Sequence, residues 1–321
     1  MNRYKRSIGA ASITLFVVVL TAWSPLSEAA QSNVTILPIS QDGIVGRLFL
    51  SPGAGRQPAV IIIGGSEGGL EWSAPWGVPL VESGFIALAL AYFGTNPLPA
   101  RLQSIPLEYF TTAIEFLRQH PRVDAERLGL MGFSKGAEAA LLIAASSPAI
   151  RAVVAASPSH VAWPGITGDP RVEAPSWTLN GAAVPFVPYD VRGGVTTPFD
   201  GYSRSLGNVE GVSAAEIPAE RINGPVLLIS GADDRMWPAS LMADRVMERL
   251  RRNGFRFSYT HLRLDDAGHA VLVSPAASGV PPARLGGSPD ANRRARGESS
   301  RAAIEFLEAS LTDSKGTTKA R

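Results

Sequence analysis

The chain has 321 residues, with 30 lysines and arginines against 28 aspartates and glutamates, and no cysteine. A net charge of +2 leaves no electrostatic footprint for nucleic acid or an anionic membrane, and a chain without cysteine has no disulfide staples. Stability must come from an apolar core, and the length suffices for one large α/β domain.

At the N-terminus, basic Asn2-Arg3-Tyr4-Lys5-Arg6 precedes an apolar run of fifteen residues, Ile8 to Ala22. Ser27-Glu28-Ala29 then offers small residues where a signal peptidase reads. The run is short for a membrane span, which needs ~20 residues. The expectation is a signal peptide over 1–29, cleavage near Ala29, and an exported, periplasmic or secreted product. Processing removes Arg3, Lys5, Arg6 and Glu28, leaving 27 basic and 27 acidic side chains. The mature chain is therefore neutral. It is expected to have no nucleic-acid partner and no stable membrane span, and Arg293-Arg294-Ala295-Arg296 reads as a solvated helix face.

Asn33–Leu37 and Gly46–Ser51 are expected as two short strands joined by the Gln41-Asp42-Gly43 turn. Ala59-Val60-Ile61-Ile62-Ile63 is a continuous, mostly β-branched run, as in a parallel-sheet strand buried on both faces. It stops at the glycine-rich stretch Gly64 to Gly69. A helix around Trp76–Glu82 leads to a second buried strand, Phe85–Ala91. Tyr109, Ala113, Phe116 and Leu117 are at helical spacing within Leu107–Gln119. Next come the strand Leu128–Met131, an alanine-rich helix Ala137–Ala145 and the strand Ala152–Ala156. Further on are a strand Pro225–Ser230, a helix Ser240–Asn253, a strand Tyr259–Leu264 and a helix Asn292–Leu311. Strands alternating with helices predict an α/β fold with a mostly parallel central sheet and helices on both faces. Between Pro164 and Ile217 the rhythm breaks, in a stretch rich in proline, glycine and aromatic residues. That stretch reads as an insertion over the C-terminal edge of the sheet, where functional loops gather. Thr312–Arg321 reads as a frayed tail.

Gly132-Phe133-Ser134-Lys135-Gly136 lies between the elbow strand and the alanine-rich helix. A Gly-x-Ser-x-Gly at such a junction is a nucleophile elbow, with the serine on a strained turn that glycines let strand and helix approach. A serine hydroxyl needs a base, and the base needs an orienting carboxylate. His269, in Asp266-Ala267-Gly268-His269-Ala270 after the final strand, stands where the base is expected. His160 follows a core strand and is a candidate pocket residue. His120, at a helix end, and His261, inside a strand, read as structural or solvated. The acid comes from Gly231 to Pro238, where Asp233 and Asp234 both qualify. Asp234 is preferred, and Asp233 reads as a turn carboxylate, as do Asp265 and Asp266.

The tetrahedral intermediate of acyl transfer needs fixed donors for its oxyanion. The backbone N–H of Lys135 is one candidate, and that of Ser66 the second, with Glu67 next. The Gly64–Gly69 turn lacks the Lys-Ser/Thr ending of a P-loop and the spacing of a dinucleotide fingerprint. The Lys135 side chain is expected to pair with surface carboxylates, and Glu138 to be a helix-surface or pocket-edge carboxylate. Glu67, His160, Trp163 and Trp237 are candidate pocket residues. Trp177, Phe186, Tyr189, Phe199 and Tyr202 of the insertion could form an acyl pocket, a dimer contact or simply core. No cofactor is implied, and the histidines and carboxylates do not cluster at metal-ligand spacing.

Gly132 to Glu138, and Val153–Trp163 with its Ser157-Pro158-Ser159-His160-Val161, resemble the C-terminal domain of one family. It is that of acyl-CoA thioester hydrolases and bile acid-CoA:amino acid N-acyltransferases. Gly64–Gly69, Ser176 to Gly181, and Ile217-Pro218 through Trp237-Pro238 agree with it. The resemblance spans Ala59 to Leu307, and dienelactone hydrolases share the elbow and the acid loop. It implies an α/β-hydrolase fold, Ser134, Asp234 and His269 as triad, and acyl transfer from a thioester. Members that transfer acyl groups to amino acids tend to use cysteine, so Ser134 favours water as acceptor. The animal members carry a β-sandwich domain first, whereas about thirty residues precede the first core strand here. CoA thioesters are cytoplasmic, so export would point to another ester or thioester.

The expectation is a serine hydrolase acting on a small acyl thioester or carboxylic ester through an acyl-enzyme. The rivals are a dienelactone-hydrolase-like or peptidase-like esterase, an N-acyltransferase, and an inactive binding protein on a hydrolase scaffold.

Overall fold

The computed structural model describes residues 34–53, 55–168, 173–192, 194–272 and 282–312. The expected leader, and the expected tail beyond Thr312, lie outside the described residues. The chain opens with the hairpin β1 (Thr35–Gln41) and β2 (Ile44–Leu50), then β3 (Gln57–Ile63), α1 (Gly77–Glu82) and β4 (Ile86–Ala91). A two-residue strand β5 (Ile105–Pro106) runs into α2 (Leu107–Gln119), followed by β6 (Val123–Phe133), α3 (Lys135–Ser146) and β7 (Ile150–Ala156). The inserted stretch holds β8 (Trp177–Leu179), β9 (Ala182–Ala183), α4 (Pro198–Ser205) and α5 (Val209–Ala215). The chain then forms β10 (Val226–Gly231), α6 (Ala239–Arg252), β11 (Tyr259–Leu264), α7 (Pro282–Leu285) and α8 (Pro289–Leu311).

Eight strands form one sheet in the order β1-β2-β4-β3-β6-β7-β10-β11. The pairs β1–β2 and β2–β4 are antiparallel, and every pair from β4 to β11 is parallel. Side chains alternate between two cores. Ala59, Ile61 and Ile63 of β3 face the core shared with α2, α3 and α6, while Val60 and Ile62 face the one shared with α1 and α8. Each such isoleucine, fully buried, contributes roughly 1.5–3 kcal/mol relative to exposure. This is the α/β-hydrolase fold.

One expectation needs correction, and the stretch read as an insertion holds short elements beyond those expected from the sequence. The elbow strand, read as Leu128–Met131, begins five residues earlier at Val123. Asp124, Glu126 and Arg127 hide its start from an apolar-run reading, and the Gln57–Val123 pair joins the rest of the ladder through a register shift. The inserted stretch is not devoid of regular structure. Thr197 caps α4 by accepting the Asp200 N–H, and Asn208 caps α5 by accepting that of Gly211. Its strand β8 pairs in parallel with β5 and antiparallel with β9, building a second, three-stranded sheet. Strands of two or three residues are too short to show alternation in sequence.

Candidate active site

Ser134 follows β6 directly and stands at the N-cap of α3 with φ +54° and ψ −119°, a conformation that L-residues seldom adopt. The surrounding glycines make it possible. A Cβ on Gly132 would lie 2.2 Å from the Gly136 carbonyl oxygen, and one on Gly136 would lie 2.2 Å from that of Gly64. Strand, helix and glycine-rich turn therefore meet backbone to backbone, and the turn sits against the serine. Because α3 begins at Lys135, its first N–H groups have no partner within the helix, and the helix dipole is positive there.

His269 Nε2 lies 2.9 Å from Ser134 Oγ, and His269 Nδ1 lies 2.7 Å from Asp234 Oδ2. The second oxygen of Asp234 accepts the N–H groups of Met236 at 2.8 Å and Trp237 at 3.2 Å. A carboxylate held this way fixes the imidazole with its proton on Nδ1, leaving the Nε2 lone pair for the serine proton. His269 is itself clamped: its N–H donates to Leu285 O, and its carbonyl accepts from Ser157 Oγ at 2.7 Å. Ser157 and Leu285 carried no local signal, since their role exists only through partners distant in sequence. Asp233 turns the other way, taking the Gly287 N–H and pairing with Arg235. The structure thus brings Ser134, His269 and Asp234 into one hydrogen-bonded chain and leaves Asp233 as the loop carboxylate.

Ser66 occupies the exposed tip of the glycine-rich turn. Tyr92 anchors that turn by donating its hydroxyl to the carbonyls of Gly64 and Gly65. Glu67 folds back so that Oε1 accepts the Gly65 N–H at 2.7 Å. Burial pushes its carboxyl above the usual range, against backbone N–H groups at Glu67 and Gly65 and the charge of His269. Trp237 packs edge-on to His269 at 5.6 Å, and Tyr202 of α4 packs edge-on to Trp237 at 5.4 Å. Trp163 completes this layer, 4.8 Å from Tyr202 and stacked on Tyr189. Of the insertion's aromatics, Trp177 is fully buried, Phe186 packs on the main core, and Phe199 is exposed.

Lys135 is expected to pair with surface carboxylates and Glu138 to lie on the helix surface or at the pocket edge, but the structure buries both. They form a buried ion pair, 2.8 Å from Lys135 Nζ to each carboxylate oxygen. Glu138 Oε1 also accepts from Trp177 Nε1 at 2.6 Å and from the Trp163 N–H at 3.1 Å. Burial lowers the lysine and raises the glutamate, each opposed by its partner. Small alanines on one side of α3 conceal this in sequence, because the insertion supplies what covers the pair. His160, a candidate pocket residue, lines a cavity of about 390 Å³ between α5 and α6, with Val209, Leu241 and Arg245. Among the described residues, no three His, Asp or Glu side chains gather as metal ligands.

Residues 105–312 match the family described as BAAT / Acyl-CoA thioester hydrolase C terminal. The bile acid-CoA:amino acid N-acyltransferase of Mus musculus is 32% identical over 243 residues, covering 74% of this chain and 54% of that protein. The acyl-coenzyme A thioesterase 1 of Mus musculus is 32% identical over 223 residues, 69% of this chain and 51% of the relative. The chain spans about half the length of these curated relatives. Among solved structures, a dienelactone-hydrolase-like promiscuous phosphotriesterase from metagenomic libraries superposes with a TM-score of 0.55. It is 17% identical and covers 87% of this chain and 98% of its own, a likeness of fold. A putative dienelactone hydrolase from Klebsiella pneumoniae gives 0.54 at 16% identity, covering 85% of this chain and 97% of its own. By the match over residues 105–312, the chain belongs to the BAAT / acyl-CoA thioester hydrolase C-terminal family.

Proposed function

We propose that the chain is a serine hydrolase that cleaves an acyl thioester or carboxylic ester through an acyl-enzyme. The observation that carries this reading is the continuous chain Ser134–His269–Asp234, with contacts of 2.9 and 2.7 Å, at a strained glycine elbow. His269 Nε2 takes the proton as Ser134 Oγ bonds to the acyl carbon. The N–H groups of Lys135 and Ser66 receive the oxyanion. As the carbonyl re-forms, the bond to the leaving sulfur or oxygen breaks and His269 returns the proton to it. Water, deprotonated by His269, then attacks the acyl-enzyme and frees the acid and Ser134. Serine in place of cysteine favours water over an amino acid as acceptor, and the thioesterase names among the relatives support a thioester. The basic and apolar N-terminal stretch supports export.

The test is hydrolysis of acyl-CoAs and p-nitrophenyl esters of graded chain length, with and without glycine or taurine. Acid release abolished in Ser134→Ala is the expected result. Amide formation that outpaces acid release would make the chain an acyltransferase, and turnover retained in Ser134→Ala would remove the assignment altogether.

A further inference from the structure

A second cavity, about 630 Å³, opens beside the loops that carry Asp234 and His269, within the size range of small-molecule sites. One wall holds two guanidinium groups, Arg235 and Arg284, and another holds Thr196 and Thr197. Val195 and Phe199, 40% and 39% exposed, supply an apolar side. Arg235 pairs with Asp233 at 3.1 Å, whereas Arg284 has no carboxylate partner among the described residues. The lining thus holds two guanidinium groups and no carboxylate; Asp200, which accepts the Thr196 N–H at 3.4 Å from outside it, pairs with Arg204.

Its position relative to the nucleophile is set by short connections. Arg235 follows the triad acid directly. Arg284 precedes Leu285, whose carbonyl accepts the N–H groups of both His269 and Arg235. Phe199 and Tyr202 lie one turn apart on α4, and Tyr202 packs on the Trp237 that flanks His269. The cavity and the aromatic layer over the imidazole are therefore reached from neighbouring positions of one helix, one turn apart.

We infer that this cavity binds a phosphate group on the leaving portion of the substrate. The inference rests on the acyl-transfer reading of the Ser134 site. Guanidinium forks and threonine hydroxyls suit phosphate oxygens, and an exposed phenyl ring beside them suits an apolar or planar neighbouring group. Two substrate kinds carry such a leaving group: a CoA thioester and an acyl ester of glycerol phosphate. The shared feature is a phosphate remote from the reacting carbonyl.

The experiment uses the purified full chain and its Arg284→Glu and Arg235→Gln variants. In one arm, kcat/KM for butyryl-CoA is divided by that for butyryl-pantetheine, which lacks the phosphates. In the other, acylglycerol 3-phosphate is divided by monoacylglycerol. At least one ratio is expected to fall about tenfold in Arg284→Glu, the loss of a charge-assisted contact. Which ratio falls identifies the phosphate carrier. Calorimetry with CoA and with glycerol 3-phosphate runs alongside, and binding weakened about tenfold by Arg284→Glu is expected for at least one. If no ester is hydrolysed, the proposed reaction fails and calorimetry alone decides the cavity. Ratios and binding unchanged in both variants would overturn the phosphate site. So would a preference for succinyl- over butyryl-pantetheine that Arg284→Glu abolishes while the phosphate ratios stand, because the cavity would then serve the acyl side.

Discussion

Among the described residues, two serine–histidine–aspartate chains are hydrogen-bonded end to end, and their surroundings differ. In the second, His261 Nε2 lies 2.7 Å from Ser230 Oγ and His261 Nδ1 lies 2.9 Å from Asp244 Oδ1. Its distances match those of Ser134, His269 and Asp234. The environments do not. Ser230 sits inside β10, fully buried, with a second hydroxyl partner in Ser240 at 2.8 Å. Ser134 sits on a turn at positive φ, beside the unpaired N–H groups that open α3. Asp234 is buried with its second oxygen held by two N–H groups, whereas the Asp244 side chain is 55% exposed. His269 is carried by a loop and His261 by a strand. Hydrogen-bond order alone therefore does not make a nucleophile. Backbone strain and the helix N-terminus beside Ser134 separate its chain from the one that ties β10 and β11 to α6.

Removal of each serine should separate the two chains by the widest margin. Ser134→Ala should lower kcat by ~10⁴-fold or more, while Ser230→Ala stays within about threefold on the same ester. A fluorophosphonate probe should label Ser134 alone; labelling of Ser230, or equal loss in the two variants, would erase the distinction. The aspartates should differ nearly as much. Asp234→Asn is expected to cost ~10³–10⁴-fold in kcat through loss of the imidazole's tautomer, and Asp244→Asn to leave kcat nearly intact. Comparable losses would mean that both carboxylates orient a working base.

A stability measurement extends the contrast to Lys135 and Glu138. Glu138→Ala strands a buried ammonium and should cost about 3–5 kcal/mol in urea unfolding. Glu115→Ala, which removes a surface pair with Arg118, should cost at most about 1 kcal/mol. Equal effects would show that the insertion does not seal the Lys135 side chain. A pH-dependent effect is expected from a histidine that has no carboxylate partner among the described residues. Burial, with the charge of Arg245, lowers the His160 imidazole to about 4 from 6.5. The folded state then binds the proton more weakly than the unfolded chain. Its contribution is fully present above pH 6.5 and is lost as pH falls toward 4, by up to about 3 kcal/mol. His160→Leu should flatten this acid limb of the stability curve, and an unchanged limb would assign it to other groups.

Much of the framework was legible in sequence because its signals are local. β-branched runs such as Ala59–Ile63 can only be buried strands of this length, and Leu107–Gln119 carries its helix in its own spacing. The elbow was legible for the same reason, since its glycines answer a clash between adjacent elements. Between Asp233 and Asp234, one residue apart in one loop, local preference pointed to the second, and contact with His269 separates them. The order of serine, acid and histidine on successive loops also needed no long-range information.

By itself, then, the sequence determined the α/β alternation, the strained serine and the loops that carry its partners, because each depends on neighbours within a few residues. Only the tertiary structure decided which polar groups are buried and against what. Lys135 and Glu138 became an internal ion pair because Trp163, at the edge of the insertion, and Trp177, within it, cover them. Arg235 and Arg284 share a cavity although 49 positions separate them. His160 and His269 both follow core strands, yet one lies between two helices and the other reaches the serine. Burial and charge pairing belong to contacts that the folded chain creates, and no local pattern records them.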